Sequence, residues 1–274
     1  MIAADAQTEL SPSQRKALER AHAQLESQGF AVRLADVAGQ PLDRVLRMMP
    51  KIATAGLDRA VEAAILNCLK LAISSIEPNA RHPPAGNLAS LLAGLSGGVG
   101  GFFGFVALPF ELPVTTTLML RAIAETARHN GEDLGKPEAR LACLEVFALG
   151  AGKSPKRLDL GYYAARAALS RLTEEASALL IERGFASLSA PLINRLTAEI
   201  ASRFGVVVSE RVAAGALPVI GAVGGATVNV VFMNHFQRVA QGHFTIRRLE
   251  RQYGADVVRR HYEDLFPPRV PAKT

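Results

Sequence analysis

Apolar residues recur along most of this chain at spacings of three and four, and nowhere alternate with the period of two that marks a half-buried strand. Ser11, Pro12 and Gln14 read as an N-cap, a first-turn proline and a capping-box partner. The helix they open should run to about Ser27 and stop at Gly29. A second apolar pattern at helical spacing covers 42–75 with a break at Pro50, and 79–87 reads as a loop. Pro113 opens a helix toward Asn130 that Gly131 ends, and Pro137 opens the next, through Leu149, with 150–155 as the connection. A long amphipathic helix over 158–183 closes at Gly184, and Pro191 starts another toward Phe204. A basic helix ends near Tyr253 and Gly254, followed by a short helix and a Pro-rich tail. The pattern predicts an all-α, multi-helix globular bundle.

Two stretches break the amphipathic rhythm. Residues 88–110 and 212–233 carry no formal charge but for Glu210 and Arg211 just ahead of the second and Glu111 just after the first. Each is about long enough to cross a bilayer core, yet both contain Gly and Pro. Small residues recur every fourth position: Gly94 with Gly98, Gly97 with Gly101, Gly100 with Gly104, and Gly221 with Gly225. On a helix this spacing strips one face and lets a second backbone approach closely. Glycine costs about 1 kcal/mol per helical position relative to Ala in water, so its density demands compensation by packing or lipid. The expectation is two Gly-rich apolar helices packed together near the centre of the bundle. The chain divides into an N-terminal helical region, 1–78, continuous with a helical core, 88–266, and a flexible tail, 267–274.

Composition narrows the class. An apolar fraction of 49% and a mean hydropathy of +0.16 are high for a soluble chain and modest for a membrane-embedded one. Aromatic belts are poorly supplied, with no Trp and 4 Tyr. Cys68 and Cys143 are too few for a disulfide scaffold and read as reduced structural thiols. The N-terminus carries Asp5 and Glu9 and lacks the layout of a signal peptide, which points to a cytoplasmic protein. A net charge of +6 suits an anionic surface. The excess is clearest in the C-terminal helix, where Arg238, Arg247, Arg248 and Arg251 interleave with apolar residues as in a helix lying on acidic headgroups. No nucleic-acid-binding motif accompanies it.

Candidate chemistry is sparse. Glu111 stands just ahead of the helix opened by Pro113, where its charge complements the dipole, and Arg121, Glu125 and Arg128 share one face of that helix, favourable for an ion network that includes Glu111. Ser96 sits in a G-x-S-x-G match, with His243 and Asp133 or Asp159 as nominal partners, but the residues before it read as helix where a nucleophile elbow needs a strand. Residues 150–154 resemble the end of a P-loop, but Phe147 stands where the motif needs Gly. His129 reads as a cation at a helix C-terminus. No metal-ligand spacing and no cofactor motif appear.

Two blocks in order carry a resemblance. The first, 97–150, holds the apolar Gly run, Pro109, Glu111 and Pro113, the Leu120-Arg121 helix, and Leu144-Glu145-Val146 before Gly150. The second, 216–251, holds Pro218, Gly221, Gly225 and Asn229. Together they resemble the EcsC protein family. The resemblance implies a mostly helical protein with an ABC transporter as genomic company, and no settled activity. The reading that follows is a non-enzymatic, membrane-associated protein, cytoplasmic and peripheral to the inner membrane, that binds lipid or an integral membrane partner. The alternatives are a hydrolase acting at the membrane through Glu111 or Ser96, and a soluble scaffold with an apolar ligand cavity.

Overall fold

The computed structural model describes residues 9–27, 29–38, 51–74, 104–151, 161–184, 190–215 and 225–266. These form the helices α1 (Pro12–Leu25), α2 (Phe30–Ala38), α3 (Lys51–Ser74), α4 (Gly104–His129), α5 (Pro137–Leu149), α6 (Tyr162–Arg183), α7 (Pro191–Gly215), α8 (Gly225–Tyr253) and α9 (Ala255–Glu263). Among the described residues there is no strand, as the periodicity predicts.

Local signals place most boundaries. Ser11 Oγ accepts from Gln14 N at 3.4 Å and caps α1. Pro137 opens α5 at N1. Gly131, Gly184 and Gly254, the expected stops, have φ of +78°, +53° and +88°, which side-chain-bearing residues avoid. Other boundaries differ. α2 is an element that the pattern did not single out; it is short, with Phe30 and Leu34 buried one turn apart. α4 begins at Gly104, not Pro113, and continues through Pro109 and Pro113. Proline removes a ladder hydrogen bond. Burial of Leu112, Met119 and Ile123 along this helix offsets the cost. Thr117 Oγ1 also donates to the Pro113 carbonyl at 2.7 Å, and Thr116 Oγ1 to Leu112 O at 2.8 Å. Glu111 therefore lies inside α4, and its expected place ahead of a helix N-terminus does not hold.

α5 organises the bundle. Every residue from Leu141 to Ala148 is buried, and α3, α4, α6, α7 and α8 all pack around it. A helix wrapped on all sides must be apolar all round, and LACLEVFAL is, except at Glu145. α1 lies along α8, where Gly242 sets the distance: a Cβ there would stand 2.7 Å from Leu25 Cγ and 3.2 Å from the Ala21 carbonyl oxygen. α9 closes a smaller core of Leu18, Tyr162, Ile246, Leu249, Val258 and Tyr262.

Helix directions follow from paired contacts. The Gly150 carbonyl meets His235, Glu145 approaches His243, and Glu132 meets Arg247 and Arg251. Advancing along α8 thus means retreating along α5, and the two are antiparallel. α4 packs along α8 and their C-terminal ends meet, with Arg251 Nη2 donating to the Asn130 carbonyl at 2.6 Å, so α4 and α8 run in the same direction. Phe204 packs on Phe236 while Arg211 Nη2 donates to Asn229 Oδ1 at 2.7 Å, so α7 opposes α8. The second apolar run is therefore divided. Residues 212–215 end α7, 225–233 begin α8, and 216–224 lie outside the described residues. Among the described residues no helix is long and apolar enough to cross a membrane.

Candidate functional site

Along α8 the surroundings change in three steps. Phe232 and Phe236 join Phe147 and Phe204 in an aromatic layer, with ring centroids 5.0–6.1 Å apart. About two turns further on, His243 enters a buried polar layer. Beyond it, Arg247, Glu250 and Arg251 form ion pairs.

The polar layer draws on three helices. α5 supplies Glu145, α6 supplies Tyr162, Arg166 and Thr173, and α8 supplies His243 and Glu250. His243 is fully buried, and Glu145 is 4% exposed. Arg166 Nη1 bridges both Glu250 oxygens at 2.8 Å and reaches the Tyr162 hydroxyl at 3.4 Å. Arginine can only donate, so the Tyr162 proton is left to donate to His243 Nδ1, 2.9 Å away. His243 then carries its proton on Nε2, which faces Glu145 Oε2 at 3.9 Å without a closer partner.

Thr173 Oγ1 lies 2.6 Å from Glu145 Oε1 and 3.1 Å from the Leu169 carbonyl oxygen. One hydroxyl proton serves only one acceptor. The Glu145 carboxyl is the nearer of the two acceptors, and Thr173 donates to it. Burial raises the Glu145 carboxyl above its ordinary range, with Thr173 opposing. Burial also pushes His243 well below the usual imidazole value, and the Arg166 and Arg247 charges add to that. In this layer burial shifts both the carboxyl and the imidazole in the direction of their uncharged forms.

The ionic end is built differently. The Glu132 side chain is 5% exposed and accepts from Arg247 Nε at 2.8 Å and from Arg251 Nη1. Burial alone would raise the Glu132 carboxyl, but the two guanidiniums outweigh it and hold it below the ordinary value. Two surface grooves flank this half of α8. One, of about 270 Å³, is lined by Gln24, Asn234, Gln237, Arg238 and Gln241; the other, of about 350 Å³, by His129, Asn130, Gly131, Arg248, Arg251 and Gln252. Neither is lined by Glu145, Tyr162 or His243.

The expected site residues fall into separate places. Ser96, Gly94, Gly97, Gly98, Gly100, Gly101 and Gly221 lie outside the described residues. Gly104 and Gly225 are the first residues of α4 and α8. Asn229 holds Arg211. Arg121, Glu125 and Arg128 are exposed on α4, and among the described residues no ion pair joins them to one another. Of the basic set, Arg247 and Arg251 are engaged by Glu132, whereas the Nε atoms of Arg238 and Arg248 are buried without a hydrogen-bond partner. His243 is not oriented by Asp133, which is exposed and accepts from Gly135 N at 2.9 Å. His129 ends α4 and donates from Nδ1 to the Glu125 carbonyl at 2.9 Å. Cys68 and Cys143 are buried free thiols, both pushed up to about 12 by burial. Among the described residues no three His, Cys, Asp or Glu side chains are grouped to hold a metal ion.

Sequence reasoning named Glu145 only within a motif and passed over Thr173, Tyr162, Glu132 and Glu250. A signal for Glu145 existed: it is the one charge in the otherwise apolar 141–149. The others lie on faces that look like ordinary amphipathic surface.

The model of the EcsC protein family matches residues 13–249. No curated protein and no solved structure matches the chain.

Proposed function

We propose that this chain, which belongs to the EcsC protein family, is a non-enzymatic helical protein that associates peripherally with a lipid bilayer through one end of its bundle. The observation that carries this reading is the shared direction of α4 and α8. The two charge-free runs, 88–110 and 212–233, feed into the N-termini of these helices at Gly104 and Gly225. Parallel helices tied at their C-termini by Arg251 and the Asn130 carbonyl bring both N-termini to the same end. The C-terminus of α7 reaches that end too. One pole of the protein thus holds the described ends of both runs, 104–110, 212–215 and 225–227, a concentration of charge-free sequence that favours a lipid interface.

The arginines stand elsewhere. Arg251 lies a helical length of roughly 39 Å from Gly225, so the ionic end and the apolar end face opposite ways. A reaction has less support than binding, because Glu145, Tyr162 and His243 are sealed within the core and line neither groove.

Cosedimentation with phosphatidylglycerol–phosphatidylcholine vesicles tests the proposal. The wild type should pellet with lipid. A Phe102→Asp, Val219→Asp double variant with an unchanged circular dichroism spectrum should bind at least ten-fold more weakly, since a charge in the bilayer core costs about 2.5–3.5 kcal/mol. Wild-type protein that stays in the supernatant at every lipid concentration, or a double variant that pellets equally well, would overturn it.

A further inference from the structure

The opposite, arginine-bearing end holds a second feature, independent of the membrane reading. The groove of about 350 Å³ between the C-terminus of α4 and the last turns of α8 is lined by His129, Asn130, Gly131, Arg248, Arg251 and Gln252. We propose that it is a binding site for a phosphate-bearing ligand.

Charge is the first argument. Arg247 and Arg251 share the single carboxylate of Glu132, so one positive charge is left over, and Arg248 adds another. Arg251 is held in place, with Nη1 on Glu132 and Nη2 on the Asn130 carbonyl at 2.6 Å. A guanidinium fixed in this way loses little freedom when an anion arrives. The Arg248 Nε is buried and has no acceptor among the described residues. A buried donor of this kind calls for an acceptor from outside.

The C-terminal end of a helix ordinarily repels anions, because its last carbonyls point outward. Here most of those oxygens are occupied. Glu125 O accepts from His129 Nδ1, Thr126 O from Asn130 Nδ2, Ala127 O from Glu132 N, Arg128 O from Gly131 N, and Asn130 O from Arg251. The end of α4 has become a neutral wall facing cations. Asn130, 2% exposed, keeps one unpartnered atom, its Oδ1. An acceptor at that position suits the P–OH of a monoprotonated phosphate or a hydroxyl on its ester, while Gln252 adds an amide donor. The second groove, with Arg238 among four amides, lacks this excess of charge.

Titration of the full chain with pyrophosphate, followed by isothermal calorimetry and phosphorus NMR, tests the assignment. Saturable binding is expected, weakened at least ten-fold by Arg248→Gln and unchanged by Arg260→Gln, an exposed α9 cation outside the groove. Gln252→Glu, which brings a carboxylate into the groove, should weaken binding comparably without touching Arg248. Absence of saturable binding, equal weakening by Arg248→Gln and Arg260→Gln, or equal displacement by chloride would overturn the proposal. Vesicles containing phosphatidic acid separate the sources: displacement of pyrophosphate supports the site with a lipid headgroup as ligand, and failure to displace supports it with a soluble phosphate ester. Neither result depends on the Phe102→Asp, Val219→Asp outcome.

Discussion

Phe147 and Glu145 stand two residues apart on the same buried helix, yet they belong to layers held together by opposite means. Phe147 meets Phe204 and Phe236, rings that any apolar neighbour of the right shape would satisfy. Glu145 meets Thr173 and His243, and each of these groups needs a partner of defined proton count. The aromatic layer tolerates imprecision and is strong because it removes a large area from water. The polar layer is weak in net energy and strict in geometry, because an unmet partner in the core costs more than a met one contributes. Burial raises the Glu145 carboxyl, which lessens the cost of a buried charge there.

The largest effect should come from emptying the aromatic layer. Phe147→Ala leaves a void among Phe204, Phe236 and their neighbours and should destabilise by about 3–5 kcal/mol, measured by urea unfolding. A loss below 1 kcal/mol would show that the layer is not the core of the fold.

Next is the acid limb of the pH–stability curve. His243 has a lowered folded-state pKa, so its contribution is fully present above its unfolded value of about 6.5 and is lost as pH falls below it. His235, whose value burial lowers against the opposing Gly150 carbonyl, acts in the same direction. Each should add a slope of about 1.4 kcal/mol per pH unit below pH 6.5. His243→Asn should remove one of the two slopes; an unchanged acid limb would refute the neutral, buried state assigned to it.

The smallest effect sharpens the contrast most. The folded-state pKa of Glu145 is raised, so its contribution is fully present below about pH 4.3 and is lost as pH rises through the folded value. Gln keeps the shape of the carboxyl and does not titrate. Glu145→Gln should therefore stay within about 1 kcal/mol of the wild type at pH 5 and equal or exceed it at pH 8. A variant that is far less stable at both pH values would mean that Glu145 is ionised in the folded protein.

Much of the fold was legible because its signals are local. Ser11 capping Gln14, Pro137 at the start of α5, and the glycines at 131, 184 and 254 act through their own backbone, so residue type and position sufficed. Pro113 misled for the same reason. It is a good first-turn residue, and nothing nearby announces that burial of Leu112 and Met119 will carry the helix back to Gly104. The candidate sites were less legible. Thr173 and Tyr162 lie on a helix that reads as amphipathic surface, and Arg247 and Arg251 looked like cations facing a membrane until Glu132, more than a hundred residues away in sequence, took them.

By itself the sequence determined that this protein is helical, roughly where most helices stop, and that two runs lack the charge to live comfortably in water. Those properties depend on torsional preference and on a period that repeats within a few residues. Tertiary structure alone decided which polar groups entered the core. It also decided that Glu145 would approach His243 and that Glu132 would take Arg247 and Arg251. Burial and proton affinity are set by neighbours from distant segments, and a local pattern carries no record of who those neighbours will be.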